Sequence, residues 1–218
     1  MVPCVLRRLT TADKHEALKL HRAVARNAHP EVFVAGTEGD FLDILDGKGV
    51  VLGIQDGDRI VCMRTVLFES HDEDLLREDM GLLPDQRSRM AFIEYCIVHQ
   101  DFRGNNLQYL TYCHMESLLW DDFDYFCTTV SPRNFYSLSN VLSCGFYAFH
   151  LKPCYGGYMR YLLRKDLKRA PSIRTKKHVS AQISDYERQQ AFLRKGMVGY
   201  RLLHHHSGVW MRFGALIR

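Results

Sequence analysis

The chain has 218 residues, of which 46% are hydrophobic and 25% are charged, and its formal net charge is +4. This balance is typical of a soluble protein with one domain, or with one domain and an extension. The Lys and Arg residues are scattered, so we expect no nucleic-acid partner, and no stretch reaches the roughly 18 apolar residues that a membrane helix needs.

The cysteines indicate a reducing compartment. The seven cysteines are widely spaced, odd in number and without a Cys-x-x-Cys pair. Such a pattern is typical of buried thiols rather than of a disulfide framework. Because no apolar run follows Met1, we also expect no signal peptide and a cytoplasmic protein.

The N-terminal part of the chain predicts a strand followed by helices. Residues 5–9 have the apolar character of a short strand, and apolar residues then recur at helical spacing over 17–24. Residues 27–39 contain proline and glycine and predict a break, after which 41–45 predict a helical turn.

A hairpin and a loop are predicted next. Two apolar runs, 50–54 and 60–68, flank an Asp-Gly-Asp turn at 56–58, which is a strong hairpin signal. Residues 70–88 are acidic and polar and contain Pro84, so they predict a loop. Its carboxylates could attract a cationic acceptor, although a solvated loop is the simpler interpretation.

The central stretch, residues 92–108, predicts a buried strand, a tight polar turn and the start of an amphipathic helix that ends near Asp122. A strand that passes through such a turn into a helix directs several backbone N–H groups and a positive helix end at one point, which is an anion site. Asn106 suits this turn if its position requires a positive φ, since Asn is one of the residues that adopt it.

A second strand and helix follow. Residues 125–130 predict a strand, and the segment from Asn134 predicts a helix that stops at Gly145. Residues 146–154 and 158–163 then predict a hairpin around a Gly-Gly turn. Taken alone, Asn134 would be interpreted as a helix cap.

The C-terminal segment predicts a basic linker, a helix and a further hairpin. The linker begins at Lys168, Ser184 and Glu187 resemble a capping box, and two strands are predicted at 198–203 and 209–213. Three consecutive histidines follow the first of these strands, but successive strand residues point to opposite faces and cannot converge on one ion. We therefore predict no metal site.

Two motifs resemble those of the GNAT superfamily of N-acetyltransferases. The first motif is the strand and turn ending in Arg103-Gly104, where Gln100, Asn106 and Gln108 stand in place of the usual proline, glycine and small residue. The second motif is a spaced set of residues after the fifth strand. It comprises Asn134, Ser137, Gly145 and Phe146. The order of predicted elements also agrees with that of the superfamily.

The resemblance implies an α/β fold with a mixed sheet that is splayed between strands 4 and 5. It implies a GNAT core at 1–168, with 169–218 as a C-terminal helix and hairpin extension. It further implies acetyl-CoA as the acyl donor. The residues that would bind this cofactor are Cys96, Ile97, Val98, Arg103, Gly104, Asn105, Asn106, Leu107, Gln108, Asn134 and Ser137.

The chemistry of acyl transfer suggests Glu94 as the general base. A carboxylate within an apolar strand is costly to desolvate, which function explains more easily than packing does. The alternative is a Glu94 paired with a nearby Arg or Lys. For the acid that protonates the departing thiolate, the position that is tyrosine in many family members is Val141 here. Tyr136, or a tyrosine of the hairpin such as Tyr155 or Tyr158, could take this role, or the thiolate could leave with the help of water.

Two functions remain open from the sequence. The first is an N-acetyltransferase that acts on a primary amine of a small molecule, peptide or protein. The second is a non-catalytic module that binds CoA or an acyl carrier. The acceptor pocket would be built from 27–39, 70–90 and 150–160. As for the oligomeric state, the C-terminal extension could form a homodimer.

Overall fold

The computed structural model describes residues 4–34, 36–68, 79–169 and 172–217. The strands are β1 (Val5–Arg8), β2 (Gly49–Asp56), β3 (Arg59–Leu67), β4 (Met90–Val98), β5 (Tyr125–Val130), β6 (Tyr147–Cys154), β7 (Tyr158–Asp166), β8 (Ser172–Gln182), β9 (Met197–His205) and β10 (Gly208–Ile217). The helices are α1 (Lys14–Ala25), α2 (Glu38–Asp43), α3 (Pro84–Arg87), α4 (Leu107–Leu119), α5 (Phe135–Ser143) and α6 (Tyr186–Arg194). The predicted α/β class is confirmed.

The chain divides into two compact units. The first comprises Met1–Glu73 and Ala91–Phe123, and the second comprises Asp74–Met90 and Asp124–Arg218. Within the described part of the chain, no helix is long and apolar enough to cross a membrane. The predicted loop at 70–88 lies partly outside the described residues, and α3 occupies its later part.

In the first unit, β1, β2, β3 and β4 pair antiparallel in that order. Strands β2 and β3 are almost continuously buried, as expected when both faces of a sheet are covered. One core joins α1 and α2 to the sheet through residues such as Leu18, Phe41 and Ile97. A second cluster includes Cys62, Phe102 and Leu107, so the beginning of α4 packs on the other side.

In the second unit, the strand order is β5, β7, β6, β9, β10 and β8, and each strand is antiparallel to its neighbours in this order. Arg164 on β7 donates hydrogen bonds to the Tyr147 hydroxyl at 2.7 Å, to Asp166 at 2.8 Å and to the Met80 carbonyl at 2.7 Å. This half-buried guanidinium therefore ties the segment before α3 to the sheet.

The C-terminal segment continues the sheet of the second unit. Ala148 of β6 lies opposite Gly199 of β9. A side chain at position 199 would meet Met211 at 3.0 Å, so glycine allows β9 and β10 to pack closely. We retain the division of the chain at residue 168 as a prediction.

Two details of the C-terminal prediction are wrong. The predicted basic linker contains β8, which pairs with β10 at 172–174 and again at 179–182. Its charge was misleading, because Lys and neighbouring Pro are common on strands at the edge of a sheet. The helix α6 is capped by Asp185, whose carboxylate accepts from the Arg188 N–H at 3.1 Å, and not by Ser184.

Candidate functional site

Glu94 lies at an irregularity in β4. Thr65 of β3 faces Tyr95 and the next residue, Val66, faces Ile93, so Glu94 is the additional residue of a β-bulge. The strand is buried before this point, and beyond it half-buried residues alternate with buried ones. None of the residues that the structure describes forms a hydrogen bond or an ion pair with the half-buried Glu94 carboxylate.

The turn after β4 has the backbone conformation of an anion cradle. His99 ends the strand by donating its N–H to the Val61 carbonyl at 2.8 Å. Gly104 and Asn106 have φ values of 82° and 55°, and α4 begins immediately after Asn106. The positive φ at Asn106 confirms that an Asn can replace the expected glycine at this position.

The backbone N–H groups of this turn form no hydrogen bonds with the residues that the structure describes. None of the N–H groups of residues 104–108 donates a hydrogen bond to an acceptor in the described part of the chain. Arg103 and residues 104–106 are exposed, whereas Leu107 and Gln108 are half-buried. Unpaired amides at the N-terminus of a helix provide donors and a positive potential for an anionic group.

The first turn of α4 is held in place from β3. Arg64 is only 4% exposed and donates to the Gln108 carbonyl at 2.7 Å and to the Thr111 hydroxyl at 3.2 Å. Its guanidinium also lies 5.7 Å from the centre of the Tyr112 ring. Arg64 could not be identified from the sequence, because its role depends on the contact between β3 and α4.

The second unit contains the other motif. Asn134 caps α5, because its Oδ1 accepts from the Ser137 N–H at 3.1 Å. The Asn134 Nδ2 group donates to no acceptor among the residues described. Gly145 has a φ of 90° and follows the helix, as predicted. The side-chain amide thus combines a capping oxygen with an unused donor.

The two candidate thiolate acids differ in their surroundings. Tyr136, in the first turn of α5, is 90% exposed. Tyr155 is 43% exposed and adopts a φ of 50° in the turn between β6 and β7. Its hydroxyl oxygen lies 2.9 Å from the Thr129 hydroxyl of β5, and Arg160 lies 5.8 Å from its ring centre. Tyr155 is therefore the more firmly positioned of the two.

A buried polar pair near Glu94 was not anticipated. Neither His21 Nε2 nor the Tyr95 hydroxyl has a hydrogen-bond partner among the described residues, and the two ring centres are 5.7 Å apart. Burial lowers the pKa of His21 and raises the pKa of Tyr95, so both groups are neutral near pH 7. The Phe33 ring, from the segment 27–39, packs edge-on against Tyr95 at 5.9 Å.

Among residues 4–34, 36–68, 79–169 and 172–217, no group of three or more His, Cys, Asp or Glu side chains is arranged to hold an ion.

The comparisons with known proteins identify the fold. No family model matches the sequence. No curated protein matches it. Several solved structures do share its fold. A putative acetyltransferase from Salmonella typhimurium, solved with acetyl-CoA, is 11% identical with a TM-score of 0.59 and covers 79% of this chain and 99% of its own.

Two further structures agree. The ribosomal-protein-S18-alanine N-acetyltransferase from Escherichia coli is 13% identical with a TM-score of 0.55, covering 76% of this chain and 94% of its own. An N-acetyltransferase from Staphylococcus aureus is 9% identical with a TM-score of 0.58, covering 76% of this chain and 99% of its own. At such identities the likeness concerns the fold alone. The resemblance seen in the two motifs is thus confirmed at the level of architecture, and the chain has the fold of the GNAT N-acetyltransferases.

Proposed function

We propose that this chain is an N-acetyltransferase that moves an acetyl group from acetyl-CoA to a primary amine of a small molecule, peptide or protein. The observation that carries the proposal is the turn at 103–108, where exposed residues, two positive φ values and unpaired amides meet at the start of α4. This arrangement suits the pyrophosphate of CoA. The Arg103 side chain adds a positive charge to the turn.

The remaining cofactor contacts follow from the two motifs. The backbone of Cys96, Ile97 and Val98 would bind the pantetheine arm and polarise the thioester carbonyl. Asn134, with its unused Nδ2 donor, and Ser137 would hold the same arm from α5. Hydrogen-bond donors that face the developing oxyanion stabilise the transition state of acyl transfer.

Glu94 is the proposed base, which removes a proton from the acceptor amine directly or through a water. Two observations support this role. The Glu94 carboxylate is half-buried without a cationic partner among the described residues, which argues against the alternative of a structural ion pair. It also lies at a β-bulge, a feature that often redirects a side chain next to an active site. The attack occurs in a ternary complex, without a covalent enzyme intermediate.

The proposed acid is Tyr155, with Tyr136 as the alternative. The Thr129 hydroxyl orients the Tyr155 hydroxyl, whereas Tyr136 is almost fully exposed. The acceptor would lie near Phe33 and Tyr95, since their contact brings the segment 27–39 against β4. These loops determine which amine is accepted.

The test combines binding and turnover. Isothermal titration with acetyl-CoA measures binding, and thiol release over a panel of amines measures transfer. On an accepted amine, we expect Glu94→Gln to lower kcat about a hundredfold or more while the Kd for acetyl-CoA changes less than about twofold. Glu187→Gln, an exposed glutamate of α6, is the matched control and should retain full activity. Equal thiol release by wild type and Glu94→Gln would exclude Glu94 as the base.

A non-catalytic CoA-binding module is the second candidate. It is favoured by Val141, which occupies the position that is tyrosine in many GNAT enzymes. Tight binding of acetyl-CoA without thiol release over the whole amine panel would support this function instead.

A further inference from the structure

A cluster of two thiols and a buried cation lies between β3, β4 and α4. Arg64 and Cys96 are directly opposite each other across the β3–β4 pair. The Cys96 sulfur is 3.9 Å from the Cys62 sulfur and 3.7 Å from the Thr111 hydroxyl. Cys62 is fully buried, whereas Cys96 is half-buried. Of these two cysteines, Cys96 is therefore the one that is partly exposed to solution.

The charge of Arg64 is not balanced by a carboxylate. Its donors go to the Gln108 carbonyl and the Thr111 hydroxyl, both uncharged, and no acidic side chain in the described part of the chain pairs with it. A buried cation without a counter-charge is costly. A negative charge on the opposite strand would compensate this cation.

The thiol groups are the ones that can supply this charge. The carboxylate of β4, Glu94, lies two residues before Cys96 and would oppose a second negative charge there. The hydrogen bond between the two thiols and the positive charge of Arg64 act against this carboxylate and against burial, and they hold the pKa of Cys96 below its ordinary value. The same hydrogen bond and burial raise the pKa of Cys62.

We propose that Cys96 is a modification site whose sulfur reacts with hydrogen peroxide and with small uncharged electrophiles. Reactive cysteines are those in electropositive, partly exposed surroundings, and Cys96 meets both conditions. In the peroxide reaction the thiolate sulfur attacks one peroxide oxygen. The S–O bond forms, the O–O bond breaks and hydroxide leaves, so that sulfur is oxidised by two electrons to a sulfenic acid and peroxide is reduced.

This modification would affect the anion cradle. Arg64 contacts both the thiol cluster and the Gln108 carbonyl in the first turn of α4. A sulfenic acid or an alkyl group on Cys96 would change the position of the guanidinium and with it the support of that turn. The proposal stands on this cluster and does not require that the chain transfer acetyl groups.

The experiment measures the rate of iodoacetamide labelling at each cysteine by peptide mass spectrometry, from pH 5.5 to 9, with glutathione in the same tube as a free thiol. We expect the Cys96 rate to reach half its maximum at least one pH unit below that of glutathione. After treatment with hydrogen peroxide, dimedone should label Cys96 and not the exposed Cys113. A Cys96 midpoint equal to that of glutathione, or a Cys96 that does not react, would overturn the proposal.

Variants of Arg64 and Cys62 separate the two causes of the expected Cys96 reactivity. Arg64→Met should raise the Cys96 midpoint by at least one pH unit, whereas Arg64→Lys, which keeps the charge, should shift it less. Circular dichroism checks that each variant is folded. If Arg64→Met does not fold, Cys62→Ala removes the neighbouring thiol instead and should also raise the midpoint. An unchanged midpoint in a folded Arg64→Met or Cys62→Ala variant would show that this cluster does not activate Cys96.

Discussion

Replacing Gly104 by alanine tests whether the backbone of the turn after β4 binds the cofactor. Gly104 has a φ of 82°, and a Cβ added there would meet nothing within 4 Å. The cost of the substitution is therefore conformational and not steric. A left-handed conformation costs an L-residue about 1–2 kcal/mol. The turn can avoid this cost only by changing its φ, which moves the neighbouring amides away from a common point.

The expected result is a loss of affinity with a smaller loss of stability. Because the relaxed turn avoids part of the strain of about 1–2 kcal/mol, we expect Gly104→Ala to lower the free energy of unfolding by no more than this amount. If acetyl-CoA binding must restore the strained turn, the same free energy weakens the Kd by about fivefold to thirtyfold. Urea unfolding measures the first quantity, and isothermal titration measures the second.

A matched glycine provides the control. Gly57, in the turn between β2 and β3, has a φ of 58° and likewise no atom within 4 Å of an added Cβ. Gly57→Ala should therefore lower the free energy of unfolding to a similar extent while the Kd for acetyl-CoA stays unchanged. If the two variants bind acetyl-CoA equally well, the amides after β4 are not the cradle that we propose.

Two further predictions concern a helix cap and an ion pair. Asn134→Asp keeps the oxygen that caps α5 but loses the Nδ2 donor, so we expect the melting temperature to be preserved and the KM for acetyl-CoA to rise about tenfold. Asn134→Ala should in addition lose about 1 kcal/mol of stability. Equal KM values for Asn134→Asp and wild type would exclude a contact between Asn134 Nδ2 and acetyl-CoA. The Arg7 hydrogen bond lowers the pKa of Asp13 to about 2, so this group stabilises the fold above the ordinary carboxylate pKa and loses its contribution as the pH falls towards 2. Because Arg7 is partly exposed, we expect Asp13→Asn to cost only about 1 kcal/mol at pH 7 and nothing near pH 2 in urea unfolding. The exposed Lys48–Asp43 pair is its control, and Asp43→Asn should cost less than about 0.5 kcal/mol.

Features that depend on a few neighbouring residues could be predicted from the sequence. The positive φ of Asn106, the cap at Asn134 and the stop at Gly145 are each determined by local backbone geometry and by the hydrogen bonds of one helix end. The boundaries of β5 were predicted without error, since a short apolar run lies between clear turn signals.

Features that depend on the pairing of distant strands could not be predicted from the sequence. The β-bulge at Glu94 exists only in the register between β3 and β4, and β8 exists because β10 has a free edge that it can pair with. Neither is encoded in a periodicity of its own segment. For the same reason, the position of Arg64 opposite Cys96 could not be predicted from the sequence.

The division between local and distant determinants also bears on function. The groups proposed to hold acetyl-CoA are main-chain amides and one helix-capping amide, and these are fixed by conformations that several residue types can adopt. Asn106 can therefore replace a glycine without removing the amides of the turn. Glu94 is different, because its position depends on the bulge as well as on its identity. A change in β3 that removed the bulge would shift the side chains of β4 to the other face. Catalysis should for this reason be more sensitive than acetyl-CoA binding to substitutions at Thr65 and Val66.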